Sequence, residues 1–338
     1  MMELNLIWFV LIVVLFTGFF LLEGFDYGVG ILLPFMSPHD SERSQVLRTI
    51  APVWDGNEVW MITAGGALFA AFPHVYATMF STFYLALFLM LVALILRGVA
   101  FELRGRHESP CWRHFWEGAI CFGSAVPAFL WGVAVTNLIQ GLPINEKMIY
   151  LGGFFDLLTP YTIIGGLTFF FVFTFHGAAF LTQRLASHGL TLRARTLAAK
   201  AGALAIIAFV FCLLLTFLNT DLFQSALGGL CLLAAGAAFI VGYLRLFQGH
   251  SRLAFVLSSL AIAATTVGFF AGLFPRLMVS SLDPAWSLTI VNAASTHYTL
   301  SIMTIAAACL VPVVLIYQGW TYWIFRQRIS PNDCNDTH

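Results

Sequence analysis

The stretch Asn5-Leu-Ile-Trp-Phe-Val-Leu-Ile-Val-Val-Leu-Phe-Thr-Gly-Phe-Phe-Leu-Leu-Glu-Gly-Phe-Asp-Tyr-Gly-Val-Gly-Ile-Leu-Leu-Pro-Phe35 decides the fold class. No charge interrupts it before Glu23. An uncharged apolar run of about 18 residues or more is what a helix needs to cross a bilayer. The rest of the chain repeats the pattern. Of its 338 residues, 60% are hydrophobic, 15% aromatic and only 9% charged, against roughly 25% charged in soluble domains. Mean hydropathy is +0.88. A soluble enzyme and a disordered chain are excluded. With zero net charge and no basic face, so is a nucleic-acid binder. The apolar runs are continuous, whereas barrel strands alternate polar and apolar residues. An all-α polytopic membrane protein remains.

Working outward, the pattern predicts nine spanning helices, at roughly 5–35, 49–72, 76–101, 115–139, 158–183, 196–218, 223–246, 252–274 and 288–324. The connections are short, so residues 1–338 read as a single transmembrane domain. Nine spans place Arg43, Arg48, Arg97, Arg104, Arg106, Arg113, Arg184, Arg193, Arg195, Lys200, Arg245, Arg252, Arg326 and Arg328 on one side. Only Lys147 and Arg276 fall on the other. The positive-inside rule then predicts an outer N-terminus and a cytoplasmic C-terminus. The start, Met-Met-Glu-Leu, lacks a basic region and a small-residue cleavage site, and reads as a retained span rather than a signal peptide. Cys111, Cys121, Cys212, Cys231, Cys309 and Cys334 form no C-x-x-C pair and read as apolar filler.

Ionisable groups within spans carry the most information. Glu23 and Asp26 lie on the first span, Asp55 and Glu58 on the second. Each pair is spaced i,i+3, which puts both carboxyls on one helix face. A carboxylate at a helix centre costs about 2.5–3.5 kcal/mol, so these four must face protein or water. Asp26 lies about 13 Å from the cytoplasmic end of its span. All four can then meet if the two helices pack together, helped by Gly24 and Gly28, a small-xxx-small pair. One reading is a water-lined proton route from the cytoplasm. The other is a polar patch that sets helix packing. His176 and His297 are the intramembrane histidines and read as hydrogen-bonded imidazoles rather than metal ligands. Glu102, Glu117 and Asp156 read as interfacial. Trp8, Trp320, Tyr322 and Trp323 read as an aromatic belt.

Glu23-Gly-Phe-Asp-Tyr-Gly-Val-Gly30 resembles the first-helix signature of subunit II of the cytochrome bd quinol oxidases. Ala51-Pro-Val-Trp-Asp-Gly-Asn-Glu-Val-Trp60, continuing Met-Ile-Thr-Ala-Gly-Gly-Ala-Leu-Phe69, resembles its second-helix signature. Leu273-Phe-Pro-Arg-Leu-Met278 and Asn292-Ala-Ala-Ser-Thr-His-Tyr-Thr-Leu300 are similar to the same family. Glu23 stands where Asp is more usual, and Glu58 where some members carry Gln. The resemblance implies two four-helix bundles plus a peripheral ninth helix, in a bacterial inner membrane. It implies an enzyme complex that oxidises quinol and reduces dioxygen to water without pumping protons. The haem-bearing subunit I, with two b-type haems and one d-type haem, would be the partner, with room for a small third subunit. This chain would bind no haem or metal itself, while some members hold a structural quinone. The proton route it implies falls on Asp26 and Asp55, then Glu23 and Glu58. Gly24, Gly28, Gly30 and Trp54 would serve helix packing. A proton-coupled transporter and a purely structural scaffold subunit are the competing functions.

Overall fold

The first helix, α1 (Met2–Met36), is the axis of the molecule. The computed structural model describes residues 2–330; Cys334 lies outside them. At 1.5 Å per residue, the 35 residues of α1 span about 52 Å, so its ends project beyond a hydrocarbon core of about 30 Å. A short polar helix, α2 (Asp40–Arg48), links it to α3 (Trp54–Ala71). Then follow α4 (Pro73–Thr82), α5 (Tyr84–Leu103), α6 (Pro110–Gln140), α7 (Pro160–Arg184), α8 (His188–Asn219), α9 (Ala226–Phe247), α10 (Ser251–Leu273) and α11 (His297–Ile324).

Local sequence explains the breaks. Pro73, Pro110 and Pro160 sit in the first turns of α4, α6 and α7, where a missing N–H costs nothing. Thr159 and Thr162 form a capping box that starts α7. Gly141 ends α6 with φ +94°, a conformation that favours glycine. Thr296 caps α11 through the Thr299 amide at 3.3 Å.

Among the described residues, eight helices are long and apolar enough to cross a membrane: α1 and α5 through α11. Helix α3 has 18 residues but carries Asp55, Asn57 and Glu58, which lower its apolar character. It packs along α1, and counting it gives nine spans. Helices α1, α3, α5 and α6 form one bundle and α7 to α10 the other, joined where α1 and α6 meet α7 and where α1 meets α10. Helix α11 packs mainly on α1 and α3 among the long helices, and Leu300 is its sole buried residue. It is the peripheral helix.

Two predicted spans shift. The third, expected over 76–101, divides at Phe83 into α4 and α5. The ninth begins at His297 rather than 288, because 288–289 is a strand. Strand β2 (Leu288–Thr289) pairs antiparallel with β1 (Arg276–Met278). This cap covers the end of the molecule opposite the arginine-rich one. Asn5 Nδ2 donates to the Ile290 carbonyl at 2.7 Å, and Ser280 Oγ to the Ile144 carbonyl at 2.7 Å.

Candidate functional site

Three of the four flagged carboxyls converge in the first bundle. Glu23 and Asp26 are fully buried on the face of α1. Arg97 of α5 reaches between the helices, fully buried as well, and pairs with Glu23. Its Nη1 is also 3.4 Å from Glu58 Oε1, with the Glu58 side chain 21% exposed. The guanidinium lies 4.9 Å from the ring centre of Tyr27, within cation–π range. Asp26 takes a different partner: Asn57 Nδ2 donates to its Oδ2 at 2.6 Å. Asn57 Oδ1 accepts from the Tyr322 hydroxyl at 2.7 Å. Gln318 Oε1 accepts from Trp60 Nε1 at 2.7 Å. The polar network therefore runs from α1 through α3 to the peripheral α11.

Asp55 does not join this cluster. It sits in the first turn of α3 on the exposed face, in line with Val59, Ile62 and Phe69, all exposed. The i,i+3 rule places Asp55 and Glu58 on adjacent parts of the helix surface, yet α1 and α5 take up only the Glu58 side. Trp54 behaves as a packing residue, stacked on Phe101 at 4.7 Å.

The glycines of α1 serve a different neighbour than the sequence suggested. A Cβ at Gly28 would overlap the Phe173 carbonyl and lie 2.8 Å from the Gly177 amide nitrogen, so Gly28 and Gly177 let α1 and α7 touch backbone to backbone. Gly24 faces Phe173 of α7, and Gly30 faces Ser124 of α6. None of these three meets α3.

Several charges read as loop or interface residues are structural. Arg97 lies nearly two turns inside α5, not at its end. Glu117 is buried and accepts from Arg43 Nε at 2.8 Å and Arg104 Nη2 at 2.7 Å. Asp40 accepts from Arg104 at 2.6 Å and pairs with Arg113. At the same end, Glu42 accepts from Ser37 Oγ and from Arg193 Nη1 at 2.8 Å. Those contacts, led by the Ser37 hydrogen bond, hold its carboxyl below the usual range. Trp8 is buried and donates to Thr304 Oγ1 at 3.0 Å, and Tyr322 is bound to Asn57, so neither is a belt residue.

His176 is buried between Ser258 Oγ at 2.7 Å and the Leu21 carbonyl at 3.2 Å, stacked on Phe255. Both ring nitrogens are occupied. His297, expected within a span, is the exposed first residue of α11. Among the described residues, no three His, Cys, Asp or Glu side chains gather as a metal site.

Sequence reasoning missed Arg97, Asn57, Gln318 and Tyr322. Gln318 had a signal, as an amide within an apolar span. Asn57 had another, lying between the two flagged acids of α3.

The family model for cytochrome bd terminal oxidase subunit II matches residues 4–325. The chain belongs to that family. It is 39% identical over 333 residues to cytochrome bd ubiquinol oxidase subunit 2 of Bacillus subtilis, covering 98% of both chains. It is 36% identical over 371 aligned residues to cytochrome bd-I ubiquinol oxidase subunit 2 of Escherichia coli, covering 99% of this chain and 98% of the relative. The structure of bd oxidase from Geobacillus thermodenitrificans superposes with a TM-score of 0.76 at 15% identity, covering 95% of this chain and 98% of that one. At that identity the likeness speaks for the fold alone. As a subunit II, this chain is a multi-pass membrane component of a quinol:dioxygen oxidoreductase complex and has a partner oxidase subunit.

Proposed function

We propose that this chain carries protons from the cytoplasm toward the dioxygen-reducing centre of its partner, with Asp26 as the central carrier. The observation that supports this most is the composition of the buried cluster. One guanidinium, Arg97, faces Glu23 and Glu58, while Asp26 is held by a neutral amide. Asp26 Oδ1, Glu23 Oε2, the Tyr27 hydroxyl, and Nε and Nη2 of Arg97 are buried without a hydrogen-bond partner among the described residues. Polar groups of this kind are satisfied by ordered water, and water bridges are what a proton needs between carboxyls too far apart to touch. Asp55 would meet the route at the protein surface.

In this reading subunit I bears the two b-type haems and the d-type haem, and supplies the quinol site. The uncovered apolar side chains of α3 and α5, among them Ile62, Phe69, Tyr84, Phe88 and Ile95, would face that partner or lipid. The membrane is the bacterial inner membrane, with the arginine-rich end in the cytoplasm.

The test is Asp26→Asn, which keeps shape and can still accept from Asn57 but carries no proton. Haem content and assembly should be normal, with slower oxygen consumption and slower oxygen-linked proton uptake. Wild-type turnover in Asp26→Asn, and again in the double variant with Asp55→Asn, would leave only the scaffold role. That second reading has its own support: the Asp26–Asn57–Tyr322 chain ties three helices together.

A further inference from the structure

At the arginine-rich end of the second bundle, a cavity of about 470 Å³ opens where α7 turns into α8 and α9 into α10. Its wall carries Arg195, Arg252 and Arg328, with His188 and His250, and among the described residues no carboxylate. Four arginines at the same end of the first bundle and its border are neutralised: Arg43 and Arg104 by Glu117, Arg113 by Asp40, and Arg193 by Glu42. Arg184, Arg245 and Arg326 bond neutral oxygens but stand singly, outside this cavity. Among the described residues, Arg195 and Arg328 have neutral partners. Arg195 Nη2 donates to Ser251 Oγ at 3.3 Å, and Arg328 Nε to the Gln183 carbonyl at 3.1 Å. Arg252 has no hydrogen bond or ion pair among the described residues.

Two further features point the same way. Arg195 Nε and Gln183 Nε2 are buried donors without an acceptor among the described residues, and both residues line the cavity. Helices α8 and α10, of 32 and 23 residues, both begin here, and neither N-cap residue, Ser187 or His250, supplies a side-chain cap. Free amides and the positive end of each helix favour an anion. A guanidinium fork suits the oxygens of a phosphate.

We propose that this cavity binds a phosphate-bearing anion, supplied by the headgroup of an anionic phospholipid. Position argues for the lipid. The cavity lies at the ends of membrane-crossing helices, and Leu253 and Val256 of α10 are exposed beside it, a surface for acyl chains. A second cavity of about 480 Å³, beside Arg43, Glu117 and Arg193, provides a contrast. Its arginines already hold carboxylates, so it offers an anion nothing.

The experiment uses the purified oxidase complex, delipidated and re-exposed to vesicles of phosphatidylglycerol in phosphatidylcholine. Native mass spectrometry counts the retained phosphatidylglycerol. The R195Q/R252Q variant should retain one fewer than wild type. Arg106→Gln, an exposed arginine outside the cavity, should retain the wild-type number. Haem bands confirm assembly; should the double variant not assemble, Arg252→Gln alone replaces it. Phosphorus NMR of added inorganic phosphate separates the sources. Line broadening that the variant abolishes, with no change in lipid count, supports the phosphate site with free phosphate as its ligand. Equal lipid retention and equal broadening in wild type and variant overturn the site. Residues 331–338 carry Asp333 and Asp336. A lipid count that rises when they are deleted overturns lipid as the resident occupant, and an unchanged count supports it.

Discussion

Arg97 of α5 and Glu23 of α1, 74 residues apart in sequence, form an ion pair in which both side chains have no exposure. A buried pair contributes little over a well-packed apolar pair, but breaking one partner strands the other's charge at about 3–5 kcal/mol. Arg97→Met should therefore cut the yield and thermal stability of the complex sharply. The double variant Arg97→Met with Glu23→Gln should recover much of the loss. Thermal unfolding of the purified complex, followed by its haem bands, measures both. Equal stability of the single and double variants would count against the pair.

Tyr322→Phe removes one hydroxyl and nothing else. Its bond to Asn57 should be worth about 0.5–1.5 kcal/mol, leaving assembly intact. If Asp26 conducts protons and Asn57 orients it, Tyr322→Phe should slow turnover less than Asp26→Asn does. Oxygen consumption of the two variants side by side checks the order.

Backbone contact between α1 and α7 leaves no room at Gly28 or Gly177. Gly28→Val should cost more than the usual 1–3 kcal/mol of overpacking, roughly the top of that range or above, because the clash is with backbone. Gly319→Ala, in open space on α11, should be neutral. Expression yield of the assembled complex reads out both.

Glu42 gives a pH dependence. Its carboxyl lies below the ordinary range, chiefly through the Ser37 hydrogen bond and then Arg193. A lowered value contributes stability that is complete above the ordinary carboxylate pKa, roughly 4.3, and is lost as pH falls through the lowered value. Wild type should be more stable than Glu42→Gln near neutrality. The gap should close as pH drops below that range. Melting temperatures across a pH series test the sign.

Topology is testable apart from chemistry. Reporter fusions after Lys147 and after Arg195 should report opposite sides of the membrane. The same side for both would refute nine spans.

The apolar runs made the helices legible because a bilayer demands about twenty such residues and little else. Glu23, Asp26 and Glu58 were legible for the converse reason, since charge inside a span needs a cause. Arg97 was not. The hydropathy of 76–101 stops short of Leu103, so Arg97 read as a span end when it lies nearly two turns within α5. Asp55 read as a member of the cluster because i,i+3 spacing is an approximate guide: it says which residues can share a face, not how wide the neighbouring helices are. The loop over 288–296 read as helix because its apolar residues do not distinguish a short strand and turns from a span start.

Tyr322 follows Asn57 by 265 residues, and that distance has a consequence for synthesis. The polar centre of the first bundle is inserted early, yet its outermost hydrogen bond can form only after the last helix has left the ribosome. Until then Asn57 lacks Tyr322 and Trp60 lacks Gln318, and a chain truncated before α11 displays an unclosed amide in the bilayer. Completion of the protein is thus recorded in the hydrogen bonds that α11 brings to Trp8, Asn57 and Trp60.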